Sequence, residues 1–168
     1  MALRLKHVDP AERPGLFTRG YSAVSATRMG RFVSRHVGWK LDPFLLRITR
    51  GRFATTLVFP TAVLETTGAK SGLPRRNAVI YFNDGDLFTV VASLAGAPRD
   101  PGWYFNLQAN PDVLFNGRPM RASVVEDEAE RERLWGMADR VLPAYATYRR
   151  AAARANRRIP IVQLTPTS

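Results

Sequence analysis

The residues best suited to chemistry lie in one short run, Leu64-Glu65-Thr66-Thr67-Gly68-Ala69-Lys70-Ser71-Gly72-Leu73-Pro74-Arg75. An apolar strand pattern enters a turn with two glycines, a lysine, a serine and a proline. Arg75 and Arg76 stand at its exit. Gly68 and Gly72 allow left-handed dihedrals and close approach of a ligand to the backbone. Such a turn can hold an anion with backbone N–H groups, helped by Lys70, Arg75 and Arg76. The same composition also serves as a plain hairpin connection with a solvated lysine.

A second set of candidates is aromatic. Trp103 and Tyr104 follow Pro101-Gly102, where a helix N-terminus would offer free N–H groups. They read either as core aromatics or as a wall for a flat heterocycle. Tyr145 and Tyr148 are three apart and share a helical face. Their hydroxyls could donate a hydrogen bond or a proton to a substrate oxygen. Ser93, at a strand end, and Arg99 complete the set.

Other chemistries find little support. The chain has no cysteine, so disulfides, thiolate metal sites and a cysteine nucleophile are excluded. His7 and His36 are the only histidines, too widely spaced for a local zinc site, and no metal is expected. There is no G-x-S-x-G elbow and no G-x-G-x-x-G. Gly68–Gly72 is too short for a P-loop, and the acidic residues read as a solvated face.

The elements that must position these residues follow from pattern. The 168 residues suffice for one domain with a real core. Thr61–Thr67, Asn77–Asn83, Leu87–Ser93, Val113–Asn116, Met120–Glu126 and Ile159–Leu164 read as strands. Asp84-Gly85 signals a hairpin. A helix is predicted from Pro101 to Asn110. Asp127 with Glu130 forms a capping-box signature for another, with Leu134, Met137, Ala138 and Val141 inward. Pro143 ends it and opens a helix carrying Tyr145 and Tyr148. About six strands with inserted helices and no βαβ alternation predict an α+β, barrel-like sheet. Residues 1–60 read as an N-terminal arm with basic amphipathic helices at 16–37 and 44–50. Residues 61–168 form the sheet domain.

Net charge is +11. That favours a polyanionic small molecule or an acidic membrane surface. Nucleic acid ranks below both, since no zinc-finger or RNP motif is present. The N-terminus lacks the apolar run of a signal peptide, and no stretch is long enough to span a membrane. A cytoplasmic protein is expected; the basic helix at 16–37 reads first as packed on its own domain, with peripheral contact to the inner membrane face as the alternative.

Taken in order, these segments resemble the deazaflavin (coenzyme F420)-dependent nitroreductase and quinone reductase family. Leu64–Arg75 with Asn77 matches its T-T-G-x-K-S/T-G-x-P-R-x-N pattern. Ala92-Ser93 to Asn110-Pro111 and Pro143-x-Tyr145-x-x-Tyr148 to Val162 follow in register. The resemblance implies a split β-barrel, reduced coenzyme F420 as cofactor, and hydride transfer to a quinone, nitro or other activated unsaturated acceptor. It implies that Ala69, Lys70, Ser71, Gly72, Leu73, Pro74, Arg75 and Arg76 hold the phosphate and glutamate-tail side. Val63, Leu64, Glu65, Val91, Ala92, Ser93 and Leu94 would line the ring. Gly102, Trp103, Tyr104, Phe105 and Asn106 would border it. Ser93 and Tyr145 would face the reacting part of the pocket, and Tyr148 its mouth.

The chain departs from the family at several positions. Ala69 and Leu94 stand where basic residues are common, Ala95-Gly96 where a Gly-Gly pair is common, and Ile80 and Leu142 where tyrosines are common. A more apolar mouth would favour a hydrophobic acceptor. The alternatives are an FMN enzyme on the same barrel, or a non-catalytic cofactor carrier or membrane-surface module. A homodimer is compatible with each.

Overall fold

The computed structural model describes residues 7–11 and 59–167. The helices expected at 16–37 and 44–50 lie outside the described residues, as does most of the 1–60 arm. Within them the chain runs β1 (Thr61–Thr67), β2 (Pro74–Asp84), β3 (Leu87–Val91), α1 (Gly102–Ala109), β4 (Asp112–Phe115), β5 (Arg118–Val124), α2 (Glu128–Val141), α3 (Ala144–Ala153) and β6 (Ile161–Pro166). The strands close into a barrel in the order β1-β2-β3-β6-β5-β4, with every pairing antiparallel. Closure leaves no open sheet edge, which is how a barrel avoids edge-to-edge association.

Alternation along β1 places Ala62, Leu64 and Thr66 in the interior. Tyr81, Phe88 and Phe115 fill the barrel, with ring centroids 5.2–5.8 Å apart. Two hairpins rest on left-handed residues. Asp84 pairs with Leu87 around Gly85-Asp86, and Gly85 has φ +58°. Phe115 pairs with Arg118 around Asn116-Gly117, both with positive φ, as a type I′ turn requires. Several sequence-based boundaries shift accordingly. β5 starts at Arg118, because Asn116-Gly117 alone makes the turn. β2 starts at Pro74, because its pairing with β1 runs to Thr67. β3 stops at Val91, and β6 runs from Ile161 to Pro166 rather than from Ile159 to Leu164.

A second core forms where α2 and α3 cover the barrel. The Asp127 side chain accepts from the Glu130 N–H at 2.8 Å, so α2 begins where the capping signature placed it. Its inward face is Arg131, Leu134, Trp135 and Ala138; Met137 and Val141 are only half-buried. Arg131 donates to the carbonyls of Val125 and Ile159, joining the end of β5 to the start of β6. Part of the N-terminal arm also docks. Val8 and Asn83 exchange two hydrogen bonds of 3.0 Å, one through the Asn83 side chain.

Gly96 marks the closest approach of the β3–α1 connection to α3. A Cβ there would lie 2.7 Å from the Tyr148 carbonyl oxygen, and its φ is +72°. Gly85 has a similar φ but open space around it. Gly85→Ala should therefore cost roughly 1 kcal/mol, from backbone conformation alone. Gly96→Ala should cost about 3 kcal/mol, because overpacking adds to that penalty. Urea unfolding of the two variants beside the parent measures the difference.

Candidate functional site

The Gly68–Leu73 turn is built by its own backbone. Gly68 N–H donates to Leu73 O at 2.9 Å, and Gly72 N–H donates to Gly68 O at 2.8 Å. Gly72 takes φ +66°. At Gly68 a Cβ would meet Ser71 Oγ at 2.6 Å and Leu73 O at 3.1 Å, so a side chain there would displace the serine and crowd the turn. Ser71 Oγ is spent inside the turn, accepting from Leu73 N–H at 3.3 Å. Asn106, on α1, holds the turn in place. Its Oδ1 accepts from Ala69 N–H at 3.0 Å, and its Nδ2 donates to Thr66 Oγ1 at 3.0 Å.

The cations around this turn differ. Arg76 pairs with Glu65 across the β1–β2 ladder. The pair is exposed on the Arg76 side, so it holds that side chain only weakly. Lys70 and Arg75 are exposed and have no ion-pair partner among the described residues. They leave a local surplus of positive charge on a turn with a free outer face.

The second half-site is the segment after β3. Ser93 starts a single 3-10 turn, and Leu94, Ala95 and Gly96 all have positive φ. Ser93 makes no capping hydrogen bond with its side chain. Among the described residues the N–H groups of Leu94 and Ala95 have no partner. The carbonyls of Ala92, Ser93 and Ala97 all accept from the Arg157 guanidinium, which also pairs with Asp100 at 2.7 Å. Arg157 is nearly buried, with 6% of its side chain exposed. In the sequence it is one of a basic pair, Arg157-Arg158, just before the last strand. Its partners are 57–65 residues away, so no local spacing signals them.

α1 lies between the two half-sites. Asp100, just before it, is tied to the Ser93 segment through Arg157, and Asn106 within it clasps the turn. The helix is about 12 Å long at 1.5 Å per residue. Trp103 and Tyr104 face inward into the barrel core, at 7% and 9% exposure. The ring available to a ligand on this helix is Phe105, which is 51% exposed. Gly102 is exposed at the helix start.

The remaining expected residues are distributed as follows. Leu64, Val91 and Ala92 are buried in the core. Val63 spends its N–H and C=O on Asn116. Leu73 and Pro74 are exposed at the turn. Tyr145 and Tyr148 stack edge-on at 6.1 Å, both nearly buried, with Tyr145 against Trp135. Burial pushes the Tyr145 hydroxyl well above its ordinary pKa, with Tyr148 and Asp139 adding to the effect. It therefore stays protonated and suits a donor, not a base. Burial also raises Tyr104, helped by Asp100 and Glu126.

Two cavities border these segments, the first lined in part by Glu65, Thr66 and Pro74, the second in part by Arg157. One, of about 460 Å³, opens where β1 and β4 separate beyond their short pairing, and it carries Glu65 and Asp112. Both carboxylates are paired, Glu65 with Arg76 and Asp112 with Arg121. The other, of about 480 Å³, lies between α2 and α3.

Comparison with known proteins now adds to this geometry. Residues 43–166 match the family described as F420H(2)-dependent quinone reductase. The chain belongs to that family. An F420H(2)-dependent quinone reductase of Mycobacterium tuberculosis is 38% identical over 148 residues, covering 82% of this chain and 97% of the relative. Among solved structures, an F420-H2 dependent reductase is similar at TM-score 0.55 and 35% identity, covering 62% of this chain and 93% of that one. A domain-swapped dimer is similar at TM-score 0.56 and 31% identity, covering 74% and 96%.

The residues of this family member fit a deazaflavin that carries a polyanionic tail. Lys70 and Arg75 are unpaired cations on a glycine turn. The free N–H groups of Leu94 and Ala95 suit the carbonyl oxygens of a ring.

Two outcomes follow. Asn106→Ala should loosen the turn, with a stability loss of about 1–2 kcal/mol for two lost hydrogen bonds. Hydrogen exchange at Ala69 should quicken while the barrel amides keep their protection. Tyr145 also gives a pH signature. Its folded pKa exceeds its ordinary value of 10.0. Its contribution is thus complete below pH 10 and declines as pH rises above that, where only the unfolded chain ionises. Tyr145→Phe should flatten the alkaline fall in stability, as thermal melts from pH 8 to 11 will show.

Proposed function

We propose that this protein is a reductase that uses reduced coenzyme F420 to deliver a hydride to a quinone or similarly activated unsaturated acceptor. The observation that carries the reading is the Gly68–Leu73 turn, clasped by Asn106, with Lys70 and Arg75 unpaired beside it. Family membership and the reductase relatives support the same cofactor and reaction.

The division of labour follows from the residues. Lys70 and Arg75 hold the phosphate and glutamate tail, which is where a charge of +11 is useful. The Ser93–Ala95 segment takes the ring, with the free N–H groups of Leu94 and Ala95 toward its carbonyl edge. When bound, the reduced deazaflavin supplies the hydride. Tyr145, held protonated, can donate to the acceptor oxygen as it gains electron density. Ser93 Oγ can do the same from the other side. Exposed Leu73 and Phe105 form an apolar rim that suits a hydrophobic acceptor.

The finer reading is a single-domain, peripheral cytoplasmic enzyme whose residues 1–60 form a basic arm toward the membrane face. The net charge supports it. No helix of the described residues is long and apolar enough to cross a membrane. A homodimer is in keeping with the relative described as a domain-swapped dimer.

The test is a titration with coenzyme F420, followed by tryptophan fluorescence and by quinone reduction. Micromolar binding with turnover is expected. Clear binding of flavin mononucleotide without binding of F420 would overturn the proposal. Lys70→Ala should weaken binding about tenfold at low ionic strength, and less in 0.5 M salt, where screening shortens to a few ångströms. A loss insensitive to salt would rule out an electrostatic anchor.

A further inference from the structure

The Leu94-Ala95-Gly96 segment is an uncommon piece of backbone. Three successive residues have positive φ, and two of them carry side chains. An L-residue in that region loses roughly 1–2 kcal/mol relative to its right-handed conformation. Such strain persists only where the surroundings over-determine it. Gly96 is pressed against α3, as shown above. The other constraint is Arg157.

The Arg157 guanidinium is a planar fork of donors. One Nη donates to Ser93 O at 3.1 Å and to Ala97 O at 2.7 Å. The other donates to Ala92 O, and Nε donates to Asp100 Oδ1 at 2.7 Å. Three carbonyls bracketing the strained turn are thus drawn onto one side chain. Among the described residues the N–H groups of Leu94 and Ala95 are left without a protein partner. The Asp100 carboxylate is the one anion in this set. It balances the nearly buried guanidinium and orients its fork. Lysine cannot reproduce the arrangement, since a point ammonium lacks the planar fork that reaches all four oxygens.

We propose that Arg157 is a positioning residue for the reductase. With Asp100 as its counter-ion, it holds the carbonyls of Ala92, Ser93 and Ala97 and so sets the Leu94-Ala95 amides in the geometry that receives the deazaflavin ring. This rests on the reading that the Ser93–Ala95 segment borders the cofactor. Arg157 acts through the backbone and not by touching the cofactor, so its effect differs from that of Lys70. Charge screening should not modulate it.

The experiment compares the parent, Arg157→Lys and Asp100→Asn. It uses F420 titrations at low and high salt, steady-state kinetics, and amide hydrogen exchange with and without F420. In the parent, F420 should protect the amides of Leu94 and Ala95. In Arg157→Lys, exchange there should quicken in the cofactor-free protein. F420 binding should weaken about tenfold at both salt concentrations, and kcat should fall more than the KM for the quinone rises. Asp100→Asn, a milder change at a half-exposed site, should move the same quantities about threefold, and it carries the test if Arg157→Lys does not fold. Parent-like exchange and kinetics in a folded variant would overturn the role of Arg157 alone. Failure of F420 to protect Leu94 and Ala95 in the parent would overturn the placement of the ring, and the proposal with it.

Discussion

Barrel closure through β1 is the constraint on which the rest depends. A short six-strand sheet has two edges, and their unpaired N–H and C=O groups must be satisfied. β1 meets β2 along its whole length but β4 only at Leu64↔Phe115 and Glu65↔Leu114. Beyond Glu65 it leaves the β4 seam and runs into the Gly68–Leu73 turn. Asn116 seals the other side of the seam by bonding both backbone groups of Val63. The Gly68–Leu73 turn is thus the continuation of the strand that closes the barrel, which gives a loop a rigid base.

From that base, two polar side chains organise everything nearby. Asn106 spends both ends of its amide on the turn and on Thr66. Arg157 spends its guanidinium on three carbonyls and Asp100. Each is a long-range tie between a helix or loop and a strand end. Among the described residues both leave groups of their client segments without a partner: Lys70 and Arg75 in one case, the Leu94 and Ala95 amides in the other.

What could be read locally was read well. Thr61–Thr67 alternates with period two, and the structure gives the same strand. Asp127 reads as a cap and is one, although the Glu130 carboxylate turns to Arg133 instead of completing the box. Pro101 opens α1 as expected, and the order of strands and helices predicted a barrel. Errors came where one signal served two outcomes. Met137 and Val141 fit an apolar stripe but lie at its margin, and Trp135, which was not in the inward set, packs on Tyr145. The sequence does not show Glu65 facing Arg76 across the ladder.

The sequence by itself determined the chemistry on offer: a glycine turn with cations, a run of aromatics, no thiols, a basic balance, and motif order that points to one family. These are properties of residue type and near neighbours, and local dihedral preference and periodicity encode them. Only the tertiary structure decided which of those groups are free. Trp103 and Tyr104 turn into the core and Phe105 out; Arg76 is paired while Lys70 and Arg75 are not; Arg157 is drawn in to hold a strained turn. The reason is physical. Whether a polar group is spent depends on partners brought together by barrel closure, many of them 40 to 65 residues apart in the chain. No window along the sequence contains both ends of such a bond.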